Sequence, residues 1–228
     1  MTAGLAILAA GSSTRAGVDK VTAELGGSPV LLWSLAAAAA SGVFAEIVVV
    51  APADRVPAIA GLVGSRARVI AGGATRTASS WAALDALGAH GIIAIHDAAR
   101  PFATPSLFAT VVAVATEYGS AVPGLAVAET VRRADLAGRA VEEIERTGLW
   151  TAQTPQAFQR PLLERARVAA LGKSFTDDAA AVIAMNEDVR LVPGERRNFK
   201  LTSTEDVAYA RELADKGLVA IAAEPLPR

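Results

Sequence analysis

Two kinds of segment alternate along the first half of the chain. Short, mostly apolar runs recur at Leu5–Ala10, Glu46–Ala51, Arg68–Ala71 and Gly91–His96. Their lengths and aliphatic content suit buried parallel strands. Longer segments separate them: Val30–Ser41, roughly Asp54–Gly64, and Arg76–Gly88. A fourth begins with Thr104 as cap and Pro105 at the first helical position, and runs to Tyr118; both residues are helix-start signals. Strand and helix in turn predict an α/β fold, with a Rossmann-like, mostly parallel sheet and helices on both faces. Right-handed crossovers then gather the carboxyl ends of the strands along one edge.

After Tyr118 the pattern changes. Leu125–Arg133 and Arg139–Arg146 are β-rich, with Ala137-Gly138 as the turn between them. Val131, Arg132 and Arg133 opposite Glu142, Glu143 and Glu145 give cross-strand charge pairs, as in a projecting two-stranded arm. Such a ribbon needs another surface to cover its apolar side, so a homodimer built through an arm at about 125–150 is expected. Helices at Pro161–Leu171 and Thr176–Met185 follow, with strands near Val189–Val192 and Phe199–Leu201. A last helix starts at Thr202-Ser203, where Ser203 and Asp206 have capping-box spacing. No repeat or long linker interrupts the chain, which predicts a single domain over residues 1–228 with the arm as its one projection.

Composition narrows the chemistry. The 228 residues include 22 basic and 23 acidic side chains, a formal charge of −1, so the electrostatic footprint of a protein that coats nucleic acid or anionic membrane is missing. Apolar residues make up 52%, enough for a sizeable core. With no cysteine, disulfides, thiolate metal sites and thiol nucleophiles are excluded. His90 and His96 are the only histidines, too few for a multi-histidine metal centre. The amino terminus lacks a basic region before its short apolar run, and Leu25–Ala45 is broken by glycine, proline and serine. Neither reads as a signal peptide or a spanning helix, which takes about 20 apolar residues. A cytoplasmic protein is expected.

Three stretches could carry chemistry. Leu8-Ala9-Ala10-Gly11-Ser12-Ser13-Thr14-Arg15 follows the first strand. Small residues there either make a plain turn or let backbone N–H groups form an anion nest beside a fixed guanidinium. Gly11 to Gly17 is not followed by Lys-Ser/Thr, and Ser13 breaks the dinucleotide glycine pattern. Lys20 is one of only four lysines and could act as a point charge on a polyphosphate. Ile95-His96-Asp97-Ala98-Ala99-Arg100-Pro101-Phe102 leaves the fourth strand at the ligand edge. Asp97 there suits a metal or ribose contact and Arg100 an anion contact, with His96 read as structural. Gly72-Gly73-Ala74-Thr75-Arg76-Thr77-Ala78-Ser79 is a strand-to-helix turn. Its glycines permit close backbone approach, either to cap the helix or to read the edge of a base.

Taken in order, Ala9–Lys20, Gly72–Ser80, His96–Phe102, Glu129-Thr130, Glu145–Phe158, Phe175–Ala179 and Asn198–Thr202 resemble the 2-C-methyl-D-erythritol 4-phosphate cytidylyltransferase family of the isoprenoid precursor pathway. The likeness covers nearly the whole chain. The first stretch is common to many nucleotidylyltransferases; HDAARP with TPQ.F and TDD is narrower, shared mainly with ribitol-5-phosphate cytidylyltransferases. The resemblance implies Mg²⁺-dependent transfer of CMP from CTP to methylerythritol phosphate. On it, Arg15 and Lys20 hold the triphosphate and stabilise charge at the α-phosphorus. Ala9, Ala10, Gly11, Gly73, Ala74 and Ser79 bind CTP, largely through the backbone. Asp97, which could also touch the metal, and Arg100 line the sugar-phosphate end. Lys200, with Thr202 nearby, positions the acceptor, and Thr154 and Thr176 lie close to it. Thr130 and Arg146 reach over from the partner subunit's arm.

The sequence departs from the family pattern at three places. The Arg15–Lys20 interval is short and has Asp19 where proline is common, Ala74 replaces an acidic residue, and Ser13 replaces glycine. Two other readings stay open: a cytidylyltransferase for ribitol 5-phosphate or another polyol phosphate, and a CTP-binding protein without turnover.

Overall fold

The computed structural model describes residues 1–10 and 21–222. Among them, the main sheet has eight strands. Four lie parallel in the order β5 (Arg68–Ala71), β4 (Phe44–Ala51), β1 (Ala3–Leu8), β6 (Ile92–Asp97). Beyond β6 come the antiparallel β11 (Gln156–Gln159) and then β7 (Ser120–Ala126), which pairs further with β10 (Trp150–Ala152) and β12 (Leu191–Pro193). A two-residue ribbon, β2 (Glu24–Leu25) on β3 (Ser28–Pro29), stands apart.

Alternation along each strand builds a core on both faces. Leu5 and Ile7 of β1, with Val49, Ala51, Ile92 and Ala94, meet α1 (Val30–Ser41), α2 (Val56–Val63) and α4 (Pro105–Tyr118). Ala6 and Leu8, with Val48, Val50, Ile93, Ile95 and Phe158, meet α3 (Arg76–Ala86), α5 (Arg160–Ala169) and α6 (Asp178–Ile183). Helix α1 is apolar almost all round because it is buried from Val30 to Ala38 apart from Leu32, and it stops where Gly42 takes the left-handed conformation. A third cluster places α7 (Thr204–Asp215) against the β2–β3 ribbon through Leu25, Trp33, Phe102, Leu201 and Val207. No helix among the described residues is long and apolar enough to cross a membrane.

The expected α1, α4 and β5 occupy the residues read from the sequence. Thr104 accepts from the Leu107 N–H, and Ser203 and Asp206 form the capping box reciprocally. Other segments differ. The first strand ends at Leu8 rather than Ala10, while β6 runs to Asp97. The Leu125–Arg133 run splits: Leu125–Ala126 finish a sheet strand, and only β8 (Val131–Ala134) pairs with β9 (Ala140–Ile144). Arg132 faces Glu143 and Arg133 faces Glu142, both ion-paired at 2.6 Å, as expected. Glu145 instead accepts from the N–H and hydroxyl of Thr147, just past the ladder. Phe199–Leu201 is not a strand; its backbone is held by Leu201 N–H on the Ala99 carbonyl. The short antiparallel β10 and β11 were not foreseen. Both are too brief to show alternation, and Pro155 sits between them.

At the amino edge of the sheet a polar clasp fixes the far end of α3. Glu46 accepts from Arg68 at 2.7 Å, from the Gly88 N–H at 2.9 Å, and pairs with His90 at 3.1 Å. Arg160 donates to the carbonyls of Leu84, Leu87, Gly88 and His90, which satisfies the carbonyls a helix end leaves free. The Arg68 and Gly88 donors lower the Glu46 carboxyl from 4.5 to about 2, against the opposing effect of burial. A lowered carboxyl stabilises the fold above its unfolded value and loses that effect as pH falls towards the folded one. Glu46→Gln is therefore expected to lower the urea midpoint at pH 6, with the gap to the unsubstituted chain closing between pH 4.5 and 2. A gap independent of pH would remove the carboxylate from the clasp.

Candidate active site

The strand order reverses between β1 and β6, where the chain first goes outward to β4 and β5 and later returns to the other side of β1. A crevice outside the carboxyl ends at such a point is the usual ligand position in open α/β sheets. Backbone bonds stitch this edge together: Ala9 N–H to Val50 O, Gly72 N–H to Ala51 O, and Ala98 N–H to Leu8 O.

On one side lies the Gly72–Gly73 turn. Its Gly73 N–H donates to Ser79 Oγ at 3.2 Å, and Ser79 Oγ donates to Thr75 O at 3.0 Å. Thr75 caps α3 through the Ala78 N–H. A methyl group at Gly72 would lie 2.7 Å from Ser79 Oγ and 2.9 Å from Ala10 Cβ, and one at Gly73 would collide with Ala78 Cβ. Ala10, Gly73 and Ser79 thus lie together around this turn, while Ala74 is exposed at its tip. Gly11, Arg15 and Lys20 lie outside the described residues.

The other side is organised by Asp97, the last residue of β6 and almost fully buried. Its Oδ1 accepts from Arg76 Nε at 3.3 Å, and its Oδ2 from Lys200 Nζ at 2.6 Å. Arg76, the first residue of α3, also places NH1 2.9 Å from Oδ2 of buried Asp178, a charge contact without hydrogen-bond alignment. Signs alternate along Lys200, Asp97, Arg76 and Asp178. Burial pushes the Asp97 carboxyl up, but Arg76 and Lys200 together overcome it and hold it at about 2. Burial, with the nearby Asp97 charge adding to it, raises the Asp178 carboxyl, and the opposing pull of Arg76 and Ser80 does not overcome it. Neither Arg76 nor Asp178 was singled out from the sequence. An arginine at the first helical position looks like surface charge until β6 is placed beside α3.

A polar relay fixes Asp97 from behind. Its N–H donates to Thr154 Oγ1 at 3.0 Å, and the Thr154 hydroxyl lies 3.1 Å from His96 Nδ1. His96 Nε2 is 3.2 Å from Arg100 O, a carbonyl that can only accept, so Nε2 carries the proton and Nδ1 accepts. Burial, with Arg100 adding to it, pushes the imidazole down to about 4. His96 is neutral and structural, as read. Thr154 also serves here as a strut.

Arg100 turns inward. It donates to the carbonyls of Asn198 at 2.8 Å and Ala152 at 3.3 Å. Asn198 donates to Thr154 O, and Gln153 holds Asn198 and Glu195. In this chain Arg100 ties down the segment that presents Lys200. Thr202 gives its hydroxyl and N–H to Asp206 at the start of α7. Thr176 is exposed two residues before α6. Thr130 and Arg146 are exposed just outside the β8–β9 ribbon, where Arg146 donates to Ala128 O. No hydrogen bond among the described residues joins either to Asp97 or Lys200.

These residues do not make a cage for a divalent ion. No group of three or more suitably placed carboxylates or histidines occurs among the described residues, and each oxygen of Asp97 already meets a cation. The packing of the glycine turn has its own test. Gly73→Ala is expected to cost about 1–3 kcal/mol in urea unfolding through overpacking. Gly61→Ala, on an open face of α2, should gain up to about 1 kcal/mol from helix propensity. Equal effects at both positions would mean that the close approach at Gly73 is unimportant.

The family model described as 2-C-methyl-D-erythritol 4-phosphate cytidylyltransferase (IspD) matches residues 4–215. A bifunctional enzyme IspD/IspF of Anaeromyxobacter sp. is 44% identical over 220 residues, covering 92% of this chain and 57% of the relative; the chain thus spans little more than half of that longer protein. A 2-C-methyl-D-erythritol 4-phosphate cytidylyltransferase of Ralstonia nicotianae is 42% identical, with 91% of this chain and 89% of the relative covered. The crystal structure of the enzyme of that name from Thermus thermophilus superposes with a TM-score of 0.80 at 35% identity, covering 94% and 99% of the two chains. With fold, motif order and whole-length relatives in agreement, the chain belongs to the 2-C-methyl-D-erythritol 4-phosphate cytidylyltransferase family.

Proposed function

We propose that this protein transfers CMP from CTP to 2-C-methyl-D-erythritol 4-phosphate. A phosphate oxygen of the acceptor forms a bond to the α-phosphorus, the bond to the β-phosphoryl oxygen breaks, and pyrophosphate leaves. The observation that carries this reading is the pairing, across the switch point, of a close-packed glycine turn with the Asp97–Lys200 group. The turn suits main-chain recognition of cytosine through Gly73, Ala74 and Ser79, and on the family likeness Ala9, Ala10 and Gly11 join them. The charged group suits a polyol phosphate: Lys200 for the phosphate, Asp97 for hydroxyls. The attacking oxygen is already ionised, so no side-chain base is needed, and positioning with charge neutralisation suffices. A site whose one histidine is neutral and locked agrees with this.

Arg15 and Lys20 hold the triphosphate on this reading, and Mg²⁺ travels on the CTP phosphates. The working unit is a homodimer. The β8–β9 arm carries exposed Leu136 and Val141, and Trp150 of β10 is exposed as well; a second copy would cover these apolar side chains, and Thr130 and Arg146 would then meet the partner's acceptor. A reaction that draws on CTP places the protein in the cytoplasm with the nucleotide pool.

Pyrophosphate release from CTP and Mg²⁺, with methylerythritol 4-phosphate and ribitol 5-phosphate compared side by side, tests the reaction. Release with the first is expected; release with ribitol 5-phosphate alone would reassign the acceptor, and CTP binding without release would leave only a nucleotide-binding protein. Arg15→Met and Lys20→Met should each lower turnover on the order of 10²–10³-fold, as loss of a transition-state charge donor does. Arg146→Ala should raise the acceptor KM more than the CTP KM. Mixing Arg146→Ala with Lys200→Ala protomers should restore activity at one site per dimer, and no rescue would overturn the shared site.

A further inference from the structure

Asp97 meets two cations of unequal standing. Lys200 reaches it on a flexible four-carbon stem, with 41% of its side chain exposed. Arg76 approaches from the first turn of α3, is 23% exposed, and is fixed between two carboxylates, Asp97 and Asp178. A carboxylate has about four lone-pair directions. Arg76 and Lys200 use one on each oxygen of Asp97, which leaves one on each for further donors.

If Lys200 turns to an incoming phosphate, Asp97 loses a cation while still buried. A buried carboxylate left without a partner is strongly disfavoured. Among the described residues, the other cation in direct contact is Arg76. His96 is neutral, Arg100 is committed to carbonyls, and Asp178 repels. The release of Lys200 is therefore possible only to the extent that Arg76 keeps Asp97 charged and in place.

We propose that Arg76 is a positioning residue for the acceptor: it anchors Asp97 as the group that accepts hydrogen bonds from the polyol hydroxyls, and so allows Lys200 to exchange Asp97 for the acceptor phosphate. The bridge to Asp178 stops Arg76 from following Asp97 or turning to the phosphate itself. The proposal rests on the cytidylyl-transfer reading and adds to it a residue that touches no substrate.

Steady-state kinetics of the full chain with CTP, Mg²⁺ and either polyol phosphate test it. Arg76→Met is expected to raise the acceptor KM about tenfold or more and to leave the CTP KM within about twofold, the pattern of a lost acceptor interaction. Arg76→Lys keeps the charge but loses the fork that spans two carboxylates, so an intermediate rise of about threefold is expected. A rise in the CTP KM alone would make Arg76 a nucleotide contact, and loss of kcat with both KM values unchanged would make it merely structural; either overturns the proposal. Should Arg76→Met not fold, an unchanged acceptor KM in Arg76→Lys overturns it equally. An unsubstituted chain inactive with both acceptors removes the parent reading and this one together, whereas an active one with indifferent variants removes this one alone.

Discussion

The contact on which the ligand edge depends is the ionised carboxylate of Asp97 held between Arg76 and Lys200. A buried carboxylate is tolerated only when its charge is answered, and here the answer comes from two separate parts of the chain. Helix α3 supplies one cation from the side of the glycine turn. The segment before α7 supplies the other from a loop pinned by Arg100, Asn198 and Gln153. Satisfying one charge therefore fixes both walls of the crevice. The rest of the fold can be read as support for that geometry: β6 delivers Asp97, the Thr154–His96 relay sets its backbone, and α6 brings Asp178 to steady Arg76.

The two ends of α3 do different work. Its amino end faces the crevice, with Arg76, the Thr75 cap and the Ser79 contact to the glycine turn. Its carboxyl end is bound by Arg160 and, through Gly88, by Glu46. A helix clamped at the far end behaves as a rigid lever against which small side chains at the near end can pack closely. That explains why the turn tolerates no added carbon at Gly72 or Gly73, whereas most of the other glycines have open space or flexible neighbours.

Much of this was legible in the sequence, for identifiable reasons. Buried parallel strands announce themselves as apolar runs, and the Thr104-Pro105 and Ser203/Asp206 caps are local chemistry, so those elements fell where expected. Asp97 and Lys200 could be named because one leaves a strand at the ligand edge and both match family motifs. What stayed hidden depends on non-local partners. β10 and β11 are short and gain their strand character only by pairing with β7 and β6. Arg76 looks like an ordinary helix-start arginine until two carboxylates from distant segments arrive beside it. Arg100 was expected to face an anion, yet the nearest acceptors turn out to be carbonyls of Asn198 and Ala152.

The separation of these partners along the chain has a consequence for biogenesis. Lys200 meets Asp97 across 103 positions, Arg100 meets Asn198 across 98, and Thr77 meets Phe175 across 98. The parallel strands β1, β4, β5 and β6 are complete by residue 97, so an emerging polypeptide can lay down this half of the sheet long before Lys200 leaves the ribosome. Contacts of such sequence distance form late and slowly. During synthesis the nascent protein thus passes through an interval in which Asp97 is present and Lys200 is not, when a half-built crevice exposes a carboxylate with Arg76 as its available counter-charge.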